Sequence, residues 1–173
     1  ALFSSVFNEI GFNYQWPLDT PLTDRYELSA GYQNEETDDF FSELTLGQFK
    51  RVYVRDDRWT RTWYLKLHQE RYEIGGVSGD TQLVIPGFRW QQQVADNRIF
   101  PRNGFRWMID LSLSESNLLS DISLVQARIQ GKWISSPFTK TRLILRGDFG
   151  ATWVDEFDEI PVSLRFFAGG DQS

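Results

Sequence analysis

Phe105-Arg106-Trp107-Met108-Ile109-Asp110-Leu111-Ser112-Leu113 carries a large apolar side chain at every odd position, while Arg106, Asp110 and Ser112 interrupt the even ones. A period of two belongs to an extended strand, whose successive side chains point to opposite faces. A tilted transmembrane strand needs about 9–11 residues, whereas strands in soluble domains usually run about 5–6. This segment has the longer span.

The same alternation recurs along the chain. Ile10, Phe12, Tyr14 and Trp16 oppose Glu9, Gly11, Asn13 and Gln15, and Tyr26, Leu28, Ala30 and Tyr32 oppose Arg25, Glu27, Ser29 and Gln33. Val125, Ala127, Ile129 and Trp133 oppose Gln126, Arg128, Gln130 and Lys132, and Leu143, Leu145, Phe149 and Trp153 oppose Arg142, Arg146 and Asp148. Three further strands, near 39–55, 58–74 and 82–95, are less regular. Leu44, Leu46, Val52 and Val54 share a face with Gln48 and Lys50, and Trp63, Leu65 and Leu67 give way to Gln69, Arg71 and Glu73, as if that strand ran out beyond a membrane. Turns rich in Gly, Pro, Asp, Asn and Ser are expected at 17–24, 34–39, 55–58, 74–81, 95–103, 114–120 and 135–140. The reading is all-β, with about eight long strands.

Composition agrees. Seven Trp, six Tyr and fourteen Phe coexist with a polar mean hydropathy of −0.42, as when the polar lumen residues of a membrane barrel dilute its lipid-facing ones. No apolar run approaches the roughly 20 residues of a membrane helix. A net charge of −6 argues against a nucleic-acid partner, and the lack of cysteine removes disulfides and thiolate chemistry.

Alternation does not say which face is outside. A soluble lipocalin-like binding barrel would turn the apolar set inward. A transmembrane barrel puts it against lipid and turns Arg106, Asp110, Arg128, Arg142, Arg146 and Asp148 into the lumen, where Asp148 would pair with Arg146 or Arg142. An outward Arg or Lys at the bilayer midplane costs about 2–4 kcal/mol. Trp16, Trp63, Trp107, Trp133 and Trp153 near strand ends suit an interfacial belt. The transmembrane antiparallel β-barrel is the expectation.

The stretch 161–173, Pro-Val-Ser-Leu-Arg-Phe-Phe-Ala-Gly-Gly-Asp-Gln-Ser, resembles the opening of the sixth extracellular loop in the bacterial outer-membrane assembly and secretion barrels of the BamA and TamA type. Phe100-Pro101-Arg102-Asn103-Gly104 resembles the Pro-Thr-x-Gly turn of that family, with Arg102 where Thr is common. Pro86-Gly87-Phe88-Arg89-Trp90 with Asp96-Asn97, and Leu145-Arg146-Gly147-Asp148-Phe149-Gly150 followed by Val154-Asp155-Glu156-Phe157, are similar to the TamA branch. These motifs cover 82–173, with compatible strands before them.

The resemblance implies a partial outer-membrane barrel domain over 1–173. Strands would run to about 154 and the sixth loop would begin over 155–173, its root formed by Arg165, Phe166, Phe167, Ala168, Gly169 and Gly170. The Val-Arg-Gly-Phe or Val-Arg-Gly-Tyr loop signature, the rest of a sixteen-stranded parent barrel and the periplasmic POTRA domains would lie outside these residues. Loop parity would place 34–39, 74–81 and 114–121 outside the cell and 17–24, 55–58, 95–103 and 135–140 in the periplasm. The function implied is to help insert autotransporters and other β-barrel proteins into the bacterial outer membrane. The partners would be outer-membrane lipid, unfolded clients and a TamB-like inner-membrane-anchored protein. A passive porin or secretion pore would have the same strands without the loop signature.

No enzyme, cofactor or metal is expected. His68 is the only histidine and reads as a lumen or rim residue. Arg146-Gly147-Asp148 and Asp148-Phe149-Gly150 mimic an integrin tripeptide and a kinase metal motif, but the contexts that give them those roles are missing. Asp155, Glu156, Asp158 and Glu159 read as a solvated acidic loop without the ligand spacing of a calcium site.

Overall fold

Alternating residues build one eight-stranded sheet. The computed structural model describes residues 6–154 apart from 21, 38–39, 57, 75–76, 98, 118 and 139, together with Leu164. The strands are β1 (Val6–Pro17), β2 (Asp24–Thr37), β3 (Phe40–Arg55), β4 (Trp59–Ile74), β5 (Val77–Ala95), β6 (Gly104–Ser114), β7 (Leu124–Phe138) and β8 (Thr141–Val154). Each pairs antiparallel with the next in chain order, and β1 does not pair with β8. The sheet is a transmembrane barrel wall left open within these strands.

β5 begins earlier than the turn chemistry of Ser78-Gly79-Asp80 suggests. It runs in register with β4 from Val77 opposite Ile74. Gly79 permits this, because a Cβ there would come within 2.6 Å of the Tyr72 ring. A residue that reads as a turn is here a place for a cross-strand ring.

Register sorts the side chains into two faces. Trp16, Tyr26, Arg51, Trp63, Phe88, Leu111, Ala127 and Ala151 stand opposite one another from β1 to β8, and so share the apolar face. Phe12, Leu65, Leu67, Leu113, Ile129, Leu145 and Phe149 are exposed there, and Trp63 keeps 61% of its surface. On β4 this face is mostly apolar from Trp59 to Leu67 and turns polar at Gln69, a span that matches a tilted membrane strand. In a lipocalin-like barrel these residues would be buried inside.

β3 is the exception in its pattern. Leu44, Leu46, Val52 and Val54 do share a face, but it is the polar one. Outward on β3 stand Thr45, Gly47, Phe49, Arg51 and Tyr53.

Six of the seven tryptophans gather at one end. Trp16, Trp59, Trp63, Trp90, Trp107 and Trp133 lie within about five residues of the strand ends that meet the connections at 18–23, 56–58, 96–103 and 139–140; only Trp153 is at the other end. Trp59, Trp90 and Trp107 contact one another with ring centroids 5.3–5.6 Å apart, and the Trp107 indole N–H donates to Gln92 Oε1 at 3.0 Å. Apolar rings with a polar handle suit an interfacial girdle. Among the described residues the belt thus lies mainly at one end of the strands.

The principal buried apolar cluster lies on the polar face at the opposite end. Leu83 and Ile85 of β5 pack with Ile122 and Leu124, and Val154 and Leu164 border them. β6 pairs with β5 only from Gly87 to Ala95, which leaves the upper edge of β5 without a strand. The β6–β7 connection covers it. Val84 N–H donates to Ser120 Oγ at 2.9 Å, Gln82 N–H donates to the Asp121 carboxylate, and Asp121 N–H donates to Gln82 C=O at 2.9 Å. Backbone groups of a bare edge need such partners in a membrane protein.

Candidate functional site

Many charged side chains lie on the polar face, to which every second strand residue points, although Asp24, Arg51 and Arg61 stand on the apolar one. Three groups stand out among the described residues. On β2 and β3, Glu27 is buried and accepts from Arg25 Nε at 2.7 Å and from Lys50 Nζ at 2.8 Å. Two cations around one carboxylate compensate its loss of water.

The second group crosses three strands. Tyr64 of β4 reaches over β5 and donates its phenol O–H to Asp110 Oδ1 of β6 at 2.6 Å. Arg89 of β5 donates through Nε to the other oxygen, Asp110 Oδ2, at 2.6 Å. Gly87 makes this possible, since any Cβ there would overlap the Tyr64 ring. Each oxygen of the Asp110 carboxylate thus accepts a charge-assisted bond, the stronger kind.

The third group holds the expected charges Arg142, Arg146 and Asp148, all on the polar face of β8. Asp148 does not pair with Arg146 or Arg142. It accepts from Arg128 through both guanidinium donors, and from Gln130 Nε2 at 2.8 Å. The reason is cross-strand geometry: Gln130 stands directly opposite Asp148, and Arg128 is its diagonal neighbour on β7. Arg146 faces Lys132 instead, and Lys132 faces Arg106 across β6 and β7. These cations line a cavity of about 330 Å³ with Met108, Gln130 and Asp148. The Arg142 guanidinium lies 5.0 Å from the centre of the Phe100 ring, a cation–π distance.

The remaining expected sites divide plainly. Arg165, Phe166, Phe167, Ala168, Gly169 and Gly170, and the acidic run over 155–159, lie outside the described residues. Arg146, Gly147, Asp148, Phe149 and Gly150 sit inside strand β8, which removes the exposed-loop context that the integrin tripeptide needs. His68 is buried on the polar face, with Nε2 3.1 Å from Glu70 Oε2. Glu27, Lys50, Tyr64 and Arg89 were not singled out from sequence. A glycine inside a strand, in register with a tyrosine as Gly87 is with Tyr64, is the signal that finds such a pair.

The turn between β5 and β6 is also tightly built. Asp96 accepts from Arg102 N–H and Asn103 N–H, each at 3.0 Å, and Asn97 Oδ1 accepts from Ile99 N–H and Phe100 N–H at 2.9 Å. Burial raises the pKa of Asp96, but the backbone N–H groups outweigh it and hold the carboxyl below its ordinary value. Gly104 ends the turn, because a Cβ would meet Val94 O at 2.6 Å.

Among the described residues no catalytic constellation forms. The arrangement is a wall, with a lipid-length apolar surface on one side and an ion-paired lining on the other. Compared with protein-family models, residues 7–173 match the Omp85 superfamily domain.

Proposed function

Because the chain belongs to the Omp85 superfamily, we propose that its eight strands are a wall of a TamA-like barrel that helps autotransporters and other β-barrel proteins enter the outer membrane. Omp85 proteins are bacterial outer-membrane factors that insert or secrete other proteins, bind unfolded outer-membrane substrates and are not enzymes. The finer reading rests on the TamA-like runs at 86–97 and 145–157.

The observation that carries the proposal is the two-faced ladder: an apolar band of membrane length backed by Arg25–Glu27–Lys50, Tyr64–Asp110–Arg89 and Arg128–Asp148. A client strand in hydrocarbon must not leave its edge N–H and C=O groups bare. A barrel that opens at a seam offers its own edge as a template, a form of β-augmentation. The strands described here serve as the stiff part of that barrel. Arg142, Arg146 and Asp148 line the lumen, and residues 155–173 start the sixth loop, with Arg165, Phe166, Phe167, Ala168, Gly169 and Gly170 at its root. A TamB-like protein is the inner-membrane-anchored partner.

The apolar cluster of Leu83, Ile85, Ile122 and Leu124 on the lining side speaks against a passive porin, whose lumen is polar and water-filled. The test is deletion of the gene in the source bacterium, with surface exposure of autotransporter passengers as the readout. Loss of passengers, restored by the full-length protein, is the expected result. Unchanged passengers together with ion conductance by the purified protein would establish the pore instead.

A further inference from the structure

Arg61 is an exposed guanidinium on the apolar face of β4, and no ion-pair partner approaches it among the described residues. It stands opposite Tyr53 on one side and Trp90 on the other, with Trp59 and Trp63 two residues away along its own strand. Its diagonal neighbour on β3 is Arg51, directly opposite Trp63. Arg51 is already neutralised, donating through Nε at 3.1 Å and Nη2 at 2.7 Å to the two Asp24 oxygens. One surplus positive charge remains, within a ring of aromatics and inside the tryptophan girdle.

A groove of about 580 Å³ opens on the same face beside this pair. Phe49, Arg51, Trp63, Leu65, Phe88 and Leu111 line it, and Pro86 and Gly87 contribute to its floor. Its volume lies in the range of about 300–1,000 Å³ that holds small ligands. Arg51 thus sits where an apolar trough meets a cationic rim. An outward guanidinium is tolerated near the interface and disfavoured at the midplane; near the interface the available counter-charges are lipid phosphates.

We propose that this surface is a binding site for an anionic phospholipid, with the headgroup phosphate on Arg61 and an acyl chain along the groove beside Trp63 and Phe88. The proposal rests on the apolar face being the lipid-facing one. Arg51, fixed by Asp24 and lying 5.7 Å from the centre of the Tyr26 ring, closes the headgroup end. Arg61 supplies the uncompensated charge that selects an anionic headgroup over a zwitterionic one.

The experiment measures the association of spin-labelled phosphatidylglycerol and spin-labelled phosphatidylcholine with the full-length protein in phosphatidylcholine vesicles. The expected preference for phosphatidylglycerol is about fivefold, which corresponds to the ~1 kcal/mol that one basic residue gains at an anionic surface. Arg61→Gln brings the ratio to about one, Arg61→Lys keeps most of it, and Arg142→Gln on the opposite face leaves it unchanged. Equal association of both lipids with the wild type, or a preference that survives Arg61→Gln, overturns the site while leaving the membrane-barrel reading intact. Failure of the wild type to insert, shown by the absence of a heat-modifiable band, overturns both.

Discussion

The phenol of Tyr64 lies across β5 above Gly87 and donates to Asp110 at 2.6 Å, so that β4 and β6, which never pair, are tied through a side chain. Arg89, on the strand between them, holds the other oxygen of the same carboxylate. A backbone ladder joins only nearest neighbours. This contact adds a second-neighbour constraint, which resists shear between strands.

Tyr64→Phe removes one bond to a charged acceptor and is expected to lower stability by about 1.5–3 kcal/mol. Gly87→Ala is expected to cost more, since its new Cβ displaces the whole ring and the same bond with it. The double variant should fall short of the sum, because both changes break one contact. Urea unfolding of the full-length protein in vesicles measures all three. Additive effects would show that ring and glycine act separately.

Ser120 satisfies the Val84 N–H on the part of β5 that β6 leaves bare. Ser120→Ala leaves that group unpaired at an edge and is expected to cost about 1–3 kcal/mol. The local sign is faster hydrogen exchange at the Val84 amide, with exchange at β2 amides unchanged. Unaltered exchange at Val84 would mean that the connection does not seal this edge.

Asp96 orders the β5–β6 turn through two backbone N–H groups. Its pKa is depressed in the folded protein, so its contribution is present above the ordinary aspartate value of about 3.9 and is lost as pH falls through the lower folded value. Protection of the Arg102 and Asn103 amides should therefore persist through mildly acidic pH and collapse only below about 4. Asp96→Ala should remove the protection at neutral pH and flatten its pH dependence. Protection that is already lost near pH 6 would contradict this account.

Much of the wall was legible in the alternation, and for a local reason. A strand's side chains change face at every step, so Phe105 to Leu113 declares its two faces without knowledge of any partner. Turn chemistry placed most connections for the same reason. It misplaced the start of β5, where Ser78-Gly79-Asp80 has turn composition while Gly79 sits under the Tyr72 ring.

The charged lining was legible as a set and illegible as pairs. Arg128, Arg142, Arg146 and Asp148 alternate with apolar residues and fall on one face by local rule. Sequence proximity then points to Asp148 with Arg146, whereas Asp148 binds Arg128, twenty residues earlier in the chain. Register across β7 and β8 decides that, and register depends on long-range pairing and loop geometry that no short window contains. The one-sided tryptophan girdle and the covering of the β5 edge by Ser120 and Asp121 arise in the same way.

The chain's own order of residues was thus enough to specify strands of membrane length with an apolar and a polar face, because both properties depend on neighbours one or two positions away. Which charges meet, which glycine receives which ring, and where Arg61 stands among tryptophans were settled only when the eight strands came into register. The contacts that decide this, such as Tyr64 with Asp110 and Arg128 with Asp148, join residues that lie far apart along the chain.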